Sequence, residues 1–505
     1  MTRESAGYPR RQPQISPQES KLWNWAQNAT LADTSSVATP ASESELQAML
    51  AKSTGKVRVM GSRMSPGRML ELQQRGYRLI DTSALRGLIS SDADSATFAG
   101  GTPLHEVYEL LSAMGRMLPA SPGVIAAQTL AGALATGTHG QGLQQSSIGD
   151  EALSIRMVLA DGSVQTFDRQ HPWFPAVQLG LGSLGVVTAV TLRTCPSEIY
   201  TCFKNAVSAD TLEQDLLTWN NDYALSKAWW FPGENQVHVW AARSATNEER
   251  AQYRENHGDL VKQEETSDAM NQTIDQTLEH MRNDTQIVDD NGKPFRTVTR
   301  FKDFSDVTGD VYHVFCRGIA TPQINVEIAI PLARTAAVIA RIKQWHSDTN
   351  PHMHYPVILR CTGASQSWLS PAWQQPSCYF GFVVYYAEDG SLSADGVAFL
   401  REVEKLLAEE GGRPHWGKYF DASLYRWDEI YPQMAAFREV REALDPQQKF
   451  SNASASSCWI REIHYDGMGY PADAAGLCGW RRGAAEIVAR RGEPLSAGGD
   501  GDGKY

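Results

Sequence analysis

The chain has 505 residues, with 46 Lys and Arg against 58 Asp and Glu, and its formal net charge is −12 at pH 7. This length is enough for two or three domains with a substantial core. The negative charge argues against a general nucleic-acid binder, because binding to phosphates needs clustered Lys and Arg.

The seven cysteines are scattered and include no C-x-x-C pair. This argues against a disulfide framework and a zinc site, and it favours a reducing compartment. Residues 1–20 are predicted to be a disordered leader, in which Arg10-Arg11 lacks the apolar stretch of a secretory signal. No apolar run approaches the ~18 residues of a membrane span, so we expect a cytoplasmic protein without one.

Two helices are predicted in the first quarter of the chain. A helix over 42–50 opens on a capping box, in which Ser42 is the cap and Glu45 reaches back to it. A helix over 102–114 has Thr102 as its cap. Short strands are predicted at 57–60, 77–81, 96–101, 155–159 and 164–167. An Asp-Gly turn joins the last two as a hairpin, and the alternation of elements indicates an α+β domain of about 180 residues.

Residues 180–185 match the dinucleotide-binding pattern G-x-G-x-x-G. That pattern must follow a strand and open a helix to bind a dinucleotide. In this chain it precedes the β-branched run 186–192, which predicts a strand. We therefore reject a Rossmann-type site at this position.

A second region is predicted from about residue 200. Its strands are expected at 228–231, 237–240, 325–331, 356–360 and 379–386, and its helices at 332–346 and 397–409. Residues 243–300 are strongly polar, which predicts a helix with a surface loop. Residues 465–505 predict an added helix and a disordered tail.

Two loops rich in glycine and hydroxyl side chains lie in the first third of the chain. One, G-S-R-M-S at 61–65, directly follows a predicted strand, and the other lies within 129–142. Glycine lets a backbone approach a ligand closely, and threonine hydroxyls beside bare N–H groups suit phosphate oxygens. Either loop alone is more typical of a plain turn. The two together indicate a large phosphate-bearing cofactor.

Five motifs within residues 22–460 resemble one group of enzymes. They are V-x-G-S-x-x-S at 59–65, T-G-T-H-G at 136–140, L-G-S-L-G-V-V-T at 181–188, H-W-G-K at 415–418 and D-P-x-x-K-F-x-N at 445–452. Each motif alone is a weak signal, but all five in this order resemble the vanillyl-alcohol-oxidase superfamily. Within it, the chain is most similar to the D-arabinono-1,4-lactone, L-gulonolactone and alditol oxidases.

The resemblance implies an α+β fold with a two-subdomain FAD-binding domain over 21–200. It also implies a substrate domain over 201–464, in which helices flank an antiparallel sheet, followed by an extension at 465–505. The residues that it implies for FAD binding are Val59, Met60, Gly61, Ser62, Arg63, Met64, Ser65, Thr129, Gly132, Thr136, Gly137, Thr138, His139, Gly140 and Val187. For His139, the alternative is a histidine satisfied within its own loop.

One residue departs from the pattern of many relatives. Their first loop carries a histidine that bonds covalently to the 8α-methyl group of the flavin, and this chain has Met64 at that position. Because a thioether cannot serve as that nucleophile, we predict that FAD is held without a covalent bond.

The resemblance implies catalytic roles for Lys418, His415 and Arg360. Lys418 and His415 are expected to face one cleft across Trp416, where an ammonium group would stabilise a developing anion or, with a depressed pKa, act as a base. The alternative for Lys418 is a solvated surface lysine. The guanidinium group of Arg360 suits hydrogen bonds to a lactone carbonyl or ring oxygen. The alternative interpretation of Arg360 is a structural salt bridge.

Glu327 is a further candidate for contact with the substrate, together with Arg360 and Lys418. The alternative interpretation of Glu327 is a charged residue at the edge of a strand. Alditol oxidases carry a substrate-contacting glutamate where this chain has Ile358. A pocket that loses polar contacts rejects open polyols, because their buried hydroxyls would be left unpaired. This favours a lactone or a less hydroxylated molecule.

These residues predict an FAD-dependent oxidoreductase that oxidises a CH–OH group of a sugar-1,4-lactone or a related small alcohol by hydride transfer to flavin N5. Oxygen or another acceptor would take the electrons, and no metal is expected. Two alternatives remain: a tailoring oxidase of secondary metabolism on the same scaffold, and a flavin-binding protein without turnover. The presence of both Lys418 and His415 argues against the second.

Overall fold

Antiparallel sheets dominate the computed structural model of this chain. The structure describes residues 21–26, 30–33, 36–67, 77–233, 235–256, 287–288, 294–295, 304–315, 323–351, 353, 355–385 and 394–450. The predictions for 1–20, for 465–505 and for most of 243–300 lie outside the described residues.

The strands are short in the amino-terminal half and longer in the carboxyl-terminal half. In chain order they are β1 (Lys21–Trp23), β2 (Thr30–Asp33), β3 (Val37–Ala38), β4 (Val57–Met60), β5 (Arg78–Asp81), β6 (Leu88–Ser91), β7 (Ser95–Ala99), β8 (Arg116–Met117), β9 (Ala152–Val158), β10 (Val164–Asp168), β11 (Val186–Arg193), β12 (Cys195–Pro196), β13 (Ile199–Ser208), β14 (Leu225–Phe231), β15 (Gln236–Ser244), β16 (Ile287–Val288), β17 (Pro294–Phe295), β18 (Phe304–Asp310), β19 (Gln323–Pro331), β20 (Val357–Thr362), β21 (Ser377–Tyr385) and β22 (Arg413–Pro414).

Helices connect and cover these strands. They are α1 (Glu43–Lys52), α2 (Leu104–Ala113), α3 (Leu130–Thr136), α4 (Phe174–Val177), α5 (Leu212–Asp222), α6 (Asn247–Glu255), α7 (Val311–Phe315), α8 (Thr335–Thr349), α9 (Ala394–Glu409), α10 (Trp427–Ile430) and α11 (Met434–Leu444). Short 3-10 turns occur at Ile148–Glu151, Leu332–Arg334 and Ala422–Leu424.

A three-stranded and a five-stranded sheet form most of the amino-terminal half, beside the two-stranded pairs β1-β2 and β8-β12. The small parallel sheet has the order β3-β5-β4, and an antiparallel sheet has the order β10-β9-β11-β7-β6. The hairpin of β9 and β10 pairs Val158 with Val164, as the Asp-Gly turn predicts. After the G-x-G-x-x-G stretch comes β11, so the rejection of a Rossmann site is confirmed.

An eight-stranded antiparallel sheet organises the carboxyl-terminal half, in the order β18-β13-β15-β14-β20-β21-β19-β22. Helix α9 packs on β19 and β21, and α5 packs on β14. One hydrophobic cluster extends from Ala96 to Leu444 and therefore joins the two halves of the chain. The predicted α+β class, with an antiparallel sheet flanked by helices, is confirmed.

Strand β19 shows why one face of this sheet is available for a ligand. Ile324, Val326, Ile328 and Ile330 are each at most 1% exposed, and they alternate with Gln323, Asn325, Glu327 and Ala329, of which the first three are polar. Because neighbouring residues of a strand point to opposite faces, the isoleucines pack under the helices. The polar residues are left on the other face.

Both predicted helix caps differ in detail from the structure. Ser42 caps α1 by accepting the Glu45 N–H, but the Glu45 carboxylate accepts from the N–H of Ala41 rather than from Ser42. At α2 the N-cap is Pro103, without a side-chain cap. The Thr102 hydroxyl instead donates to the Ala99 carbonyl at 2.7 Å and accepts the Gly87 N–H at 2.8 Å, so it is not available to cap the helix.

Residues 445–450 fasten the end of the described chain to the amino-terminal half. The Asp445 carboxylate accepts the backbone N–H of Lys449 at 2.7 Å. The Lys449 ammonium donates to the Leu50 carbonyl at 2.8 Å, and its own carbonyl accepts the Val57 N–H at 2.8 Å. We call these residues the carboxyl-terminal clasp.

Among the described helices, none combines the length and apolar character that crossing a bilayer requires.

Candidate active site

A cavity of about 270 Å³ is lined by both glycine-rich loops, by one face of the eight-stranded sheet and by the segment 415–418. The structure brings most of the predicted site residues together around it. Those in its lining are Val59, Gly61, Ser62, Arg63, Met64, Ser65, Thr129, Gly132, Thr136, Thr138, His139, Glu327, Arg360, His415 and Lys418.

Four predicted cofactor residues lie outside this lining. Met60 packs into a small apolar cluster, and Gly137 is the left-handed C-cap of α3 with φ 73°. A Cβ on Gly140 would lie 2.5 Å from the carbonyl oxygen of Ser121, and Val187 lies within β11. These residues support the loops and the sheet behind the cavity, and their contact with a cofactor stays a prediction.

The two glycine-rich loops touch each other at Gly61. A Cβ on Gly61 would lie 2.1 Å from the Thr129 Oγ1, so a side chain at this position has no room. Thr129 Oγ1 also accepts the Gly132 N–H at 3.2 Å and thereby caps α3. The loops therefore form one continuous wall of the cavity.

The first loop also meets the H-W-G-K segment. The Ser65 hydroxyl donates to the Gly417 carbonyl. A Cβ on Gly67 would lie 2.5 Å from the Lys418 carbonyl oxygen, so the two backbones are in close contact. Three of the sequence motifs thus adjoin at one cavity.

The loop wall fits a dinucleotide phosphate. Arg58, which is 3% exposed, and Arg63 both line the cavity. Burial lowers the pKa of Arg58 to about 10 and also lowers that of Arg63, and both groups stay charged at neutral pH. Glycines that leave the backbone accessible and two guanidinium groups suit the negative charge of a pyrophosphate.

Trp416 anchors the segment 415–418 in the core. Its ring is fully buried, stacks on Trp427 and Tyr431, and donates from Nε1 to the Leu369 carbonyl at 2.7 Å. A fixed ring at this position sets the direction of the side chains on either side of it.

His415 and Lys418 reach the cavity from this anchored segment. The His415 N–H donates to the Glu327 carbonyl at 2.8 Å, which attaches the segment to β19. The Gly417 N–H donates to His415 Nδ1 at 3.0 Å, so the neutral ring carries its proton on Nε2. The predicted cleft shared by Lys418 and His415 is present.

Glu327 and Arg360 form a buried ion pair inside the cavity. The Arg360 guanidinium donates to Glu327 Oε1, and the two side chains are 11% and 4% exposed. Glu327 Oε2 has no hydrogen-bond partner in the described part of the chain. The carboxylate therefore keeps one oxygen for a ligand.

Two glycines border this ion pair, and Gly123 makes room for it. Ile358, Gly381 and Glu327 form one cross-strand row over β20, β21 and β19, so the absent side chain at Gly381 leaves the space between the strands open. A Cβ on Gly123 would lie 1.4 Å from the nearer guanidinium nitrogen of Arg360. The carboxylate in this cross-strand row is Glu327, two strands away from Ile358.

The charges in the cavity determine the protonation of its acids and bases. Burial alone would raise the pKa of Glu327, but Arg360 and the neighbouring cationic groups hold that pKa below its ordinary value. Burial lowers the pKa of Lys418, and Glu327 partly opposes this effect. Burial also lowers the pKa of His415 to about 4, so this ring is neutral at pH 7.

His139 lies in the back wall of the cavity. Its ring stacks on Tyr379 at 3.6 Å between centroids, and Nδ1 lies 3.1 Å from the Gly140 carbonyl. Nε2 lies 3.6 Å from Glu327 Oε1 and has no hydrogen-bond partner among the described residues. Burial, and then the charge of Arg360, lower its pKa well below the ordinary value. The alternative, a histidine whose hydrogen bonds are made within its own loop, therefore applies to Nδ1 but not to Nε2.

His139, Glu327 and His415 form one group of possible metal ligands among the described residues, with one atom from each within 4.8 Å of the others. Arg360 pairs with Glu327, and Lys418 lies in the same wall. These two cationic side chains oppose a divalent cation at this position.

Comparison with known proteins gives the family. The sequence profile described as D-arabinono-1,4-lactone oxidase matches residues 190–462, and that of an FAD binding domain matches 34–168. The chain belongs to the D-arabinono-1,4-lactone oxidase family. Its predicted resemblance to the aldonolactone oxidases is therefore confirmed.

Relatives cover most of the chain at low identity. An L-gulono-1,4-lactone dehydrogenase of Mycobacterium tuberculosis is 26% identical over 86% of this chain and 98% of its own length. An L-gulonolactone oxidase of Mus musculus is 24% identical over 81% of this chain and 91% of its own length. A cholesterol oxidase of Brevibacterium sterolicum shares the fold, with a TM-score of 0.67 and 15% identity over 90% of this chain and 100% of its own.

Some residues in the lining of this D-arabinono-1,4-lactone oxidase family member were not found from the sequence. A cross-strand row places Lys204, Trp240, Lys227 and Arg360 side by side, and the Lys227 Nζ lies 4.2 Å from the centroid of the Trp240 ring. The sequence feature that could have indicated the two lysines is that Lys204 and Lys227 each stand alone among the apolar residues of a strand, β13 and β14. Gln323 and Asn325 were also missed. The feature that could have indicated them is the alternation of polar and apolar residues at the start of β19, Q-I-N-V-E.

The buried histidines predict acid sensitivity of the folded state in this family member. The pKa of His415 is about 4 in the folded protein, against an ordinary value of 6.5, so the unfolded chain binds a proton between these values that the native chain does not. The free energy of unfolding is then highest above pH 6.5 and falls as the pH drops towards 4, by about 3 kcal/mol in total. His139 acts in the same direction.

Urea unfolding at pH 7 and pH 4.5 checks this prediction. His415→Asn removes the titrating ring but keeps an acceptor for the Gly417 N–H. We expect the variant to lose less stability than the wild type between the two pH values. Equal losses in both proteins would contradict the assignment.

Proposed function

We propose that the protein is an FAD-dependent oxidoreductase that oxidises a CH–OH group of a sugar-1,4-lactone or a related small alcohol. The observation that carries this proposal is one cavity whose lining joins the glycine-rich loops to Lys418, Glu327 and Arg360. The names of the relatives, which are lactone oxidases and a lactone dehydrogenase, support the same substrate class.

The loop wall would hold the cofactor. Gly61 adds no side chain to this wall where it meets Thr129, and Arg58 and Arg63 offer positive charge. When bound, the flavin supplies a hydride acceptor at N5. The protein must then orient the carbinol and manage its proton.

Three side chains are suited to these tasks. Glu327 is ionised and keeps Oε2 available, so it would accept a hydrogen bond from a substrate hydroxyl and orient it. Arg360 holds the other oxygen of Glu327 and fixes its direction. The lowered pKa of Lys418 increases the fraction of neutral amine, which is the form that can take the proton, and its ammonium form would stabilise an alkoxide.

Anaerobic mixing with candidate substrates tests the proposal. The purified protein should be yellow, and sugar-1,4-lactones should bleach its flavin absorbance, whereas simple alcohols serve as the comparison. A folded protein that takes up no FAD, or flavin that no lactone, polyol or alcohol reduces, would contradict it.

We further propose that the FAD is not covalently bound, because Met64 stands in the first loop where a covalent link would need a nucleophilic side chain. Precipitation with acid should leave the yellow flavin in the supernatant. Flavin that stays with the pellet would refute the proposal.

The proposed boundaries are 21–200 for the cofactor domain and 201–464 for the substrate domain. Oxygen or another acceptor would take the electrons in a cytoplasmic setting. Mixing the reduced protein with air-saturated buffer distinguishes the two acceptor classes, since only an oxidase is reoxidised rapidly.

A further inference from the structure

The polar face of β19 continues past the ion pair. Gln323, Asn325 and Glu327 all line the cavity, and they alternate with the buried apolar residues of the same strand. Alternate residues of a strand lie about 6.8 Å apart on one face. The three side chains therefore form a row that begins at Glu327 and leads away from it.

Two amide oxygens in this row have no partner among the described residues. Gln323 is 4% exposed, and neither its Oε1 nor the Oδ1 of Asn325 accepts a hydrogen bond. Buried polar atoms without a partner cost free energy, and native proteins keep few of them. An amide can both accept and donate, so its natural complement in a cavity is a hydroxyl group.

The row lies beside the groups proposed to act on the reacting carbon. The His415 N–H donates to the Glu327 carbonyl, and the Tyr419 N–H donates to the Asn325 carbonyl at 3.0 Å. The segment that carries Lys418 therefore runs along β19 between these two bonds. A substrate whose carbinol lies near Lys418 and Glu327 would extend its remaining carbons along Asn325 and Gln323.

Apolar surface faces the same space. Trp229, Phe382 and Val383 belong to the lining, and Val383 is the cross-strand partner of Asn325. A polar row beside apolar walls matches a carbohydrate chain, which presents hydroxyls on its edges and C–H groups on its faces.

We propose that Gln323 and Asn325 form a hydroxyl-binding subsite that selects lactones with a hydroxylated carbon chain beyond the reacting CH–OH group. This inference rests on the proposed function and specifies its substrate class. It reverses the expectation of a less hydroxylated substrate from Ile358, because β19 supplies polar contacts that β20 lacks.

Two substrates and two substitutions test the subsite. L-gulono-1,4-lactone carries two ring hydroxyls and an exocyclic diol, whereas 2-hydroxy-γ-butyrolactone has a single CH–OH group and no further hydroxyl. For Gln323→Met and Asn325→Leu, which keep side-chain size, kcat/KM for the first lactone should fall at least about tenfold, as expected when a hydroxyl loses its buried partner. For 2-hydroxy-γ-butyrolactone, kcat/KM of both variants should stay within about twofold of the wild-type value. Asn325→Ser, which keeps a hydrogen-bonding group, should recover part of the loss.

Gln165→Met on β10 is the matched control, because it makes the same chemical change on a strand outside the cavity lining. Flavin content and the visible spectrum report folding of each variant. Equal losses with both lactones, or no loss with either, would overturn the subsite while the proposed function stands. A wild-type flavin that is reduced by 2-hydroxy-γ-butyrolactone but not by L-gulono-1,4-lactone would also overturn the subsite alone. Flavin that no lactone, polyol or alcohol reduces would overturn the proposed function, and the subsite with it.

Discussion

Lys418→Met is expected to leave the bound flavin spectrum in place but to slow flavin reduction by on the order of a hundredfold or more, the scale of losing one charge-stabilising group. Lys418 lies in the cavity wall, and burial lowers its pKa, with Glu327 partly opposing this effect. Replacing it by Met removes the group proposed to take the proton of the carbinol or to stabilise the alkoxide. Anaerobic stopped-flow absorbance with L-gulono-1,4-lactone measures the rate.

Lys52→Met is the control for this substitution. Lys52 is exposed in the last turn of α1, outside the cavity lining, and its replacement should leave the reduction rate unchanged. A Lys418→Met protein that is reduced at the wild-type rate would remove Lys418 from the mechanism.

Glu327→Leu is expected to destabilise the fold by about 3–5 kcal/mol, because it leaves the Arg360 guanidinium buried without its counter-charge. The double replacement of Glu327 by Leu and Arg360 by Met removes both charges and should recover much of that loss. The double variant should not recover flavin reduction, because it lacks the carboxylate that we propose to bind the substrate. Urea unfolding and anaerobic reduction measure the two effects separately.

Glu429→Gln provides the comparison with an exposed ion pair. The side chains of Arg426 and Glu429 are 81% and 65% exposed, so breaking this pair should cost less than about 1 kcal/mol. If Glu327→Leu cost no more than Glu429→Gln, the buried pair would not stabilise the fold as argued.

The loop wall was predictable because its signals are local in the chain. Glycine and hydroxyl residues cluster at 61–65 and 136–140, and their composition alone indicates close approach to a ligand. Their convergence at Gly61 and Thr129 could be inferred from the family resemblance. The positions of His415 and Lys418 were also predictable from local sequence. Both flank Trp416 within the four residues 415–418, and the fixed Trp416 ring directs the two side chains.

The ion pair and the amide row were not predictable in the same way. The contact of Glu327 with Arg360 depends on the pairing order of three strands and on the absent side chain at Gly123, which lies far from both residues in the sequence. The alternation of β19 did show which residues share a face. It did not show which face meets the cavity, so Gln323 and Asn325 were missed.

The helix caps show a smaller limit of local patterns. Ser42 caps α1 as its spacing indicates, but the partner of Glu45 is the preceding Ala41. Several N–H groups are exposed together at a helix start, and the chain path before the helix decides which one a carboxylate reaches. Composition alone does not determine that path.

The carboxyl-terminal clasp has a consequence for biosynthesis. Strand β4 is an edge of the small parallel sheet, and the backbone of Lys449 covers the start of that edge through the Val57 N–H. A nascent polypeptide still on the ribosome therefore keeps this edge open until residue 449 has emerged. Premature termination before that point leaves a bare strand edge, which is a template for aggregation.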